Sequence, residues 1–203
     1  MSAFDKFEIT KHEPYRFIGK SIYIGNKGSF GCFDLPQSSY LASGCAETLH
    51  GRVLHEYLWS RSEGIFAMLD EMKEYASDEP HNVALYTWEK YDEKHELYGY
   101  TIGRFMKADT PVTHDMDYYD IPAGYFAKGF VKLENLEETQ GTRLAKFEDI
   151  MDVELKKHQE YQWEIMMAEV YLAPDENGNT YVGLYELLKL KTPGKKRFWR
   201  NRK

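Results

Sequence analysis

One pattern constrains the fold more than any other: strand, helix, strand, strand, and then the same order again. In the first pass, Tyr15 to Ile24 is rich in β-formers and reads as a strand. Residues 46–75 read as helix, with Leu49, Val53 and Tyr57 spaced by four and Ile65, Leu69 and Met72 resuming the stripe. Between them Ser60-Arg61-Ser62-Glu63 has capping-box spacing, which predicts a break and a second helical start under the Ser60 hydroxyl. Strands over 83–91 and 97–106 follow, joined through Asp92-Glu93-Lys94-His95. The second pass begins after Lys107-Ala108-Asp109-Thr110-Pro111. It runs through an extended region, 116–133, interrupted at Pro122-Ala123-Gly124, and then a polar loop over 134–141. A helix over about 142–158 carries Leu144, Phe147, Met151 and Leu155 on one face, with Thr142 as its N-cap. Strands over 164–173 and 181–190, turning at Glu176-Asn177-Gly178-Asn179, complete it. Residues 1–13 are polar and read as an irregular start.

Each unit is too small to close a core easily, and two packed sheet to sheet solve that problem. The expectation is an α+β domain of antiparallel sheets with a cleft between two modules, 1–109 and 110–191, followed by a basic tail, 192–203. The repeat lies in element order, not in residue identity.

The second module also holds the strangest residue. Trp163-Glu164-Ile165-Met166-Met167-Ala168-Glu169-Val170-Tyr171-Leu172-Ala173-Pro174 is a largely apolar strand that ends at a proline, and Glu169 stands in its middle. A carboxylate among Met, Ala, Val, Tyr and Leu must face water, pair with a cation, or wait in a cavity for a partner. Period-two alternation puts Ile165, Met167, Glu169 and Tyr171 on one face and Met166, Ala168, Val170 and Leu172 on the other. The second, uniformly apolar set is the one expected against the helix, leaving Glu169 and Tyr171 to face the middle of the protein. In the last strand Glu186 sits among Val182, Leu184, Leu188 and Leu190, a second acid on an apolar face. The plain alternative for either acid is an ion pair with an Arg or Lys.

Aromatic content sharpens the choice. The chain of 203 residues holds 16 Tyr, 11 Phe and 4 Trp, enough to wall a pocket as well as to fill strands. Tyr98, Tyr100 and Arg104 share one strand face, and Tyr86 and Trp88 another, so these rings are candidates to flank Glu169. Apolar walls with a few polar groups make a small-molecule site, and a carboxylate between ring faces attracts cations. Burial would also raise its pKa and make it a proton donor.

Charge and motif exclude other classes. The net charge is −7, but the seven cations from Lys191 to Lys203 face no acid; before Lys191, 19 cations stand against 33 acids, a net of −14. Such a body disfavours a nucleic-acid groove on the main fold, and the tail reads as a solvated terminus. His50 and His55 are five apart rather than four, so no zinc-helix pair forms, and neither a metal nor a cofactor is expected. Gly25-Asn26-Lys27-Gly28, in a loop over 25–44 with four glycines, lacks the end of a phosphate loop. Gly-x-Ser-x-Gly is absent. Cys32 and Cys45 lack CxxC spacing and suit buried thiols in a reducing compartment. With no signal-like start and no apolar run of membrane length, the expectation is a cytoplasmic protein without a membrane partner.

The segment Tyr119-Asp120-Ile121-Pro122-Ala123-Gly124-Tyr125-Phe126-Ala127, followed by Glu169-Val170-Tyr171-Leu172, resembles the GyrI-like family. The resemblance covers 116–190 by motif and 14–106 by element order. It implies two strand–helix–strand–strand units around a pseudo-twofold axis, as in stand-alone members and in the effector-binding domains of multidrug-sensing transcription activators. It further implies that Glu169 contacts a ligand in a central cleft, with Tyr171, Glu186 and Tyr125 as further site residues. Some members hydrolyse the cyclopropane of DNA-alkylating natural products, which would give Glu169 or Glu186 an acid or water-activating role. The partners so implied are small aromatic or cationic molecules, with a protein target such as a DNA gyrase as the alternative. The length leaves no room for a helix-turn-helix domain, so nucleic acid is not expected by that route.

Overall fold

The computed structural model describes residues 5–25, 58–79, 81–87, 97–113, 115–133 and 142–191. Several features read from the sequence lie outside these residues: the glycine loop beyond Gly25, both cysteines, His50 and His55, the helix over 46–57, Trp88, the 92–95 turn, the 134–141 loop and the basic tail.

The fold is α+β. Eight strands among the described residues form one antiparallel sheet: β1 (Lys6–His12), β2 (Tyr15–Gly25), β3 (Asn82–Thr87), β4 (Leu97–Lys107), β5 (Asp117–Ile121), β6 (Gly124–Leu133), β7 (Tyr161–Tyr171) and β8 (Thr180–Leu190). Their order in space is β1-β6-β8-β7-β3-β4-β2-β5. Helix α1 (Ser62–Asp70) packs on β4, and α2 (Thr142–Leu155) on β8. The strand–helix–strand–strand order is therefore present twice, as β2-α1-β3-β4 and β6-α2-β7-β8. The two units join edge to edge, through antiparallel pairing of β3 with β7, and not as two separate sheets. Backbone hydrogen bonds at that seam satisfy groups that would otherwise be bare edges.

The start of the chain is a strand. Phe7 and Ile9 turn inward at alternate positions while β1 pairs with β6 along its length. Its exposed polar residues are those of an edge strand, which is why they read as irregular. At α1 the turn at Ser60-Arg61 does break the helix, but Arg61, not Ser60, takes the N-cap position, with no side-chain capping bond.

The sheet is bent far enough to make two cores. On one face Ile18, Ala84, Tyr100, Ile102, Met167 and Leu184 meet Ile65, Phe66 and Leu69 of α1 and Met151 of α2. On the other face Phe17, Val83, Leu85, Phe105, Phe126, Val170 and Leu187 pack together, with no helical residue among the described ones. Phe105 of β4 and Phe126 of β6 are four strands apart, about 19 Å in a flat sheet. Their rings lie 5.5 Å apart, so this face has curled onto itself. Gly19 and Gly103 pair directly between β2 and β4, and a Cβ on either would stand 2.0 Å from a carbonyl oxygen of the other strand. Only glycine tolerates that approach.

Polar groups tie the curled face together. Lys128 of β6 is ion-paired with Glu79, just before β3; Glu79 also accepts a hydrogen bond of 3.1 Å from Tyr185, and all three residues are buried. The neighbouring Tyr15 hydroxyl donates to Asp78, and His12 stacks on Phe126 at 4.1 Å.

Candidate functional site

The covered face is the opposite of the one expected from alternation. Met166, Ala168, Val170 and Leu172 belong to the curled core, while Met167, Glu169 and Tyr171 point to the face that carries α1 and α2. The neighbours on this face are apolar too: Ala84 on β3, Tyr100 and Ile102 on β4, Val182 and Leu184 on β8.

Glu169 is thereby only 2% exposed. Its Oε1 accepts a hydrogen bond of 2.5 Å from the Tyr86 hydroxyl, and its Oε2 one of 2.8 Å from Tyr171. Such charge-assisted bonds offset part of the cost of keeping a carboxylate out of water. Burial first, and the adjacent Glu169 charge next, push the Tyr171 hydroxyl well above the ordinary phenol range, so it remains a donor.

Rings extend the site. Tyr86 meets Tyr100 edge-on at 4.9 Å, and the Trp59 indole nitrogen donates to the Tyr100 hydroxyl at 2.7 Å. Trp59 also sets its edge against Tyr171, again at 4.9 Å. Tyr86, Tyr100 and Tyr171 are thus brought together around Glu169. Of Tyr98 only the backbone, in β4, belongs to the described residues, and Trp88 lies outside them. Sequence reasoning missed Trp59. The signal available was its place immediately before the helix break at Ser60-Arg61, where a large side chain can turn across the sheet. Arg104, on the same face of β4, is an anchor for α1: its guanidinium donates to Asp70 at 2.5 Å and to Asn82 at 2.9 Å and lies over the Phe66 ring.

Glu186 is buried on the neighbouring strand and the same face, one diagonal step away, opposite Met167, while Leu184 stands opposite Glu169. It opens into a different space, a cavity of about 410 Å³ between the end of α2 and the β7–β8 pair. Tyr125 lies on that side too, against Tyr161 at 5.1 Å, and not in the Glu169 cluster. Among the described residues no group of three or more His, Cys, Asp or Glu side chains is placed to hold a metal ion. Nor is any helix among them long and apolar enough to cross a membrane.

The sequence matches no family model and no curated relative. Solved structures do match over nearly the whole chain. One is a protein of Staphylococcus aureus described as a bacterial transcription regulation protein: 12% identity, TM-score 0.54, covering 91% of this chain and 98% of that one. Another is SAV2435 bound to tetraphenylphosphonium: 10% identity, TM-score 0.53, covering 91% and 94%. A third is an integron cassette protein from the mobile metagenome of Vibrio cholerae: 8% identity, TM-score 0.51, covering 92% and 97%. At these identities what is shared is the fold.

Proposed function

We propose that the chain is a GyrI-like ligand-binding protein that takes bulky aromatic cations over Glu169. The observation that carries this is the burial of one carboxylate beneath Tyr86, Tyr100, Tyr171 and Trp59, with both its oxygens held by phenol donors. A cation with aromatic substituents complements that group in charge and the rings in apolar surface, and gains cation–π attraction from the rings. Two further observations support the reading. The sheet order is symmetric about the β7–β3 seam, as two modules related by a twofold axis require. SAV2435, of like fold, was solved with tetraphenylphosphonium. Because Glu169 is nearly inaccessible, a ligand must displace a side chain above it, and Trp59, half-buried and leaning on Tyr171, is the one we assign. Glu186 opens into another cavity, so the reading is of a binder rather than a hydrolase.

The test is a pair of probes of one shape and opposite charge. Tetraphenylphosphonium should bind the full chain saturably in calorimetry, and tetraphenylborate should not. Equal binding of the two, or none of the phosphonium, would remove Glu169 from the site.

A further inference from the structure

Two short links hold the ends of the sheet together. β1 and β2 stand first and seventh in the strand order, yet only Glu13 and Pro14 separate them along the chain. β6 and β5 stand second and eighth, and only Pro122 and Ala123 lie between them. Six strand spacings come to about 29 Å in a flat sheet, whereas a two-residue link reaches about 11 Å. The sheet therefore curls until its two ends meet. His12, the last residue of β1, stands where they do. Its ring stacks on Tyr15 of β2 at 5.3 Å and on Phe126 of β6 at 4.1 Å, and it is 4% exposed.

Only one nitrogen of this ring is satisfied. Nδ1 lies 2.8 Å from the Glu13 carbonyl oxygen, which can only accept, so Nδ1 carries the proton of the neutral ring. Nε2 is buried and has no hydrogen-bond partner among the described residues. It rests on Gly124, where a Cβ would stand 3.3 Å away. A second proton would put a buried N–H at Nε2 with nothing there to accept it. Burial first, and the Lys128 charge of β6 as well, oppose that proton, while the Glu13 carbonyl, Glu79 and Asp78 favour it. Both acids are already engaged, Glu79 by Lys128 and Asp78 by the Tyr15 hydroxyl. That hydroxyl is itself pushed well above the ordinary phenol range by burial and stays a donor throughout.

We propose that His12 is a proton-operated latch on the curled sheet: neutral, it holds β1 against β6, and protonated, it lets β1 go. β1 is the strand to yield because it ends the sheet and, among the described residues, pairs with β6 alone. β7 and β8 are held on both sides. Strands at an edge open locally, at less cost than the whole domain. Once β1 is released, the imidazole returns to water and to its ordinary pKa of 6.5. Opening then takes up one proton, so its equilibrium constant rises up to tenfold per pH unit below 6.5 and levels off where the closed form also protonates. What opens is the hydrogen-bonding edge of β6 and the ring of Phe126.

Hydrogen exchange on the full chain, from about pH 7.5 to about pH 5.5 and expressed as protection factors, tests this. Below 6.5 the amides that pair β1 with β6 should lose protection by up to about tenfold per pH unit, while those that pair β7 with β8 keep theirs. His12→Phe keeps the ring stack without the titrating nitrogen and should abolish the dependence. His81→Gln, at the other histidine whose pKa burial lowers, should retain it. Constant protection of β1 across the range, equal loss in β7 and β8, or the same response in His12→Phe would overturn the latch. Should His12→Phe fail to fold, the imidazole resonances of the wild type decide. Titration of His12 at 6.5 or above in the folded chain would overturn the latch, and titration below it, alongside the selective loss in β1, would support it.

Discussion

Replacing Glu169 by Gln separates the charge of the central site from its shape. Gln is isosteric, so Tyr86, Tyr100, Tyr171 and Trp59 keep their places. Its carbonyl oxygen still accepts from one tyrosine hydroxyl, while its amide can donate to the oxygen of the other. The expected loss of stability is therefore about 1 kcal/mol, that of one weakened buried hydrogen bond. Ligand affinity should change far more. With a cationic centre about 6 Å from the carboxylate, an effective dielectric near 20 gives about 3 kcal/mol of attraction, or roughly a hundredfold in Kd. Burial is what keeps this attraction from being screened; an exposed acid at that distance would contribute several times less.

The assay is calorimetric titration of tetraphenylphosphonium into wild type and Glu169→Gln, with thermal melts of both to confirm equal folding. The apolar part of the affinity should survive, so weak residual binding is expected at high concentration. Raising the salt should weaken wild type only modestly, because the pair is sequestered. A Kd unchanged within about threefold in a normally melting variant would refute the electrostatic account, since the remaining rings have no means to distinguish the two side chains.

Gly103→Ala should destabilise the fold by roughly 3 kcal/mol, read as a lowered urea midpoint, because its Cβ would meet backbone of β2 that cannot move aside. Lys128→Met should cost about 3–5 kcal/mol by stranding the buried Glu79 charge. Adding Glu79→Gln should then recover much of that loss; equal melting of wild type and the single variant would show that the pair contributes nothing. His12 is buried between Tyr15 and Phe126, and burial lowers its pKa from the ordinary 6.5, as it does for His81. The native state thus resists a proton that the unfolded chain accepts, so stability is present above pH 6.5 and is lost as the pH falls below it. In His12→Phe the slope of melting temperature against pH below 6.5 should be shallower than in wild type.

Element order was legible because helix and strand periods differ, and the two strand–helix–strand–strand passes are those of the structure. Glu169 was legible for a different reason: a charge inside an apolar run contradicts its surroundings, and such contradictions gather at sites. Alternation then gives two faces of a strand but never says which one a helix will cover. That choice depends on residues from other strands, and here it inverted the expectation. Among the described residues the apolar face of β7 carries no helix, because the sheet curls until Phe105 and Phe126, four strands apart, meet over it.

The same long-range logic built the site. Ala84 on β3 stands directly opposite Glu169 and is wholly buried. A small residue there leaves the carboxylate free of a bulky neighbour on the β3 side. Tyr86, two residues further along β3, and Tyr171, two residues further along β7, then reach the carboxylate from opposite ends of the same short stretch of ladder. Neither tyrosine is unusual where it stands in the sequence, and both read equally well as strand-forming aromatics. Their meaning comes from the antiparallel register of β3 on β7, which is also the seam between the two modules. The Glu169 carboxylate at this seam is held from both sides, by Tyr86 of β3 and by Tyr171 of its own strand β7.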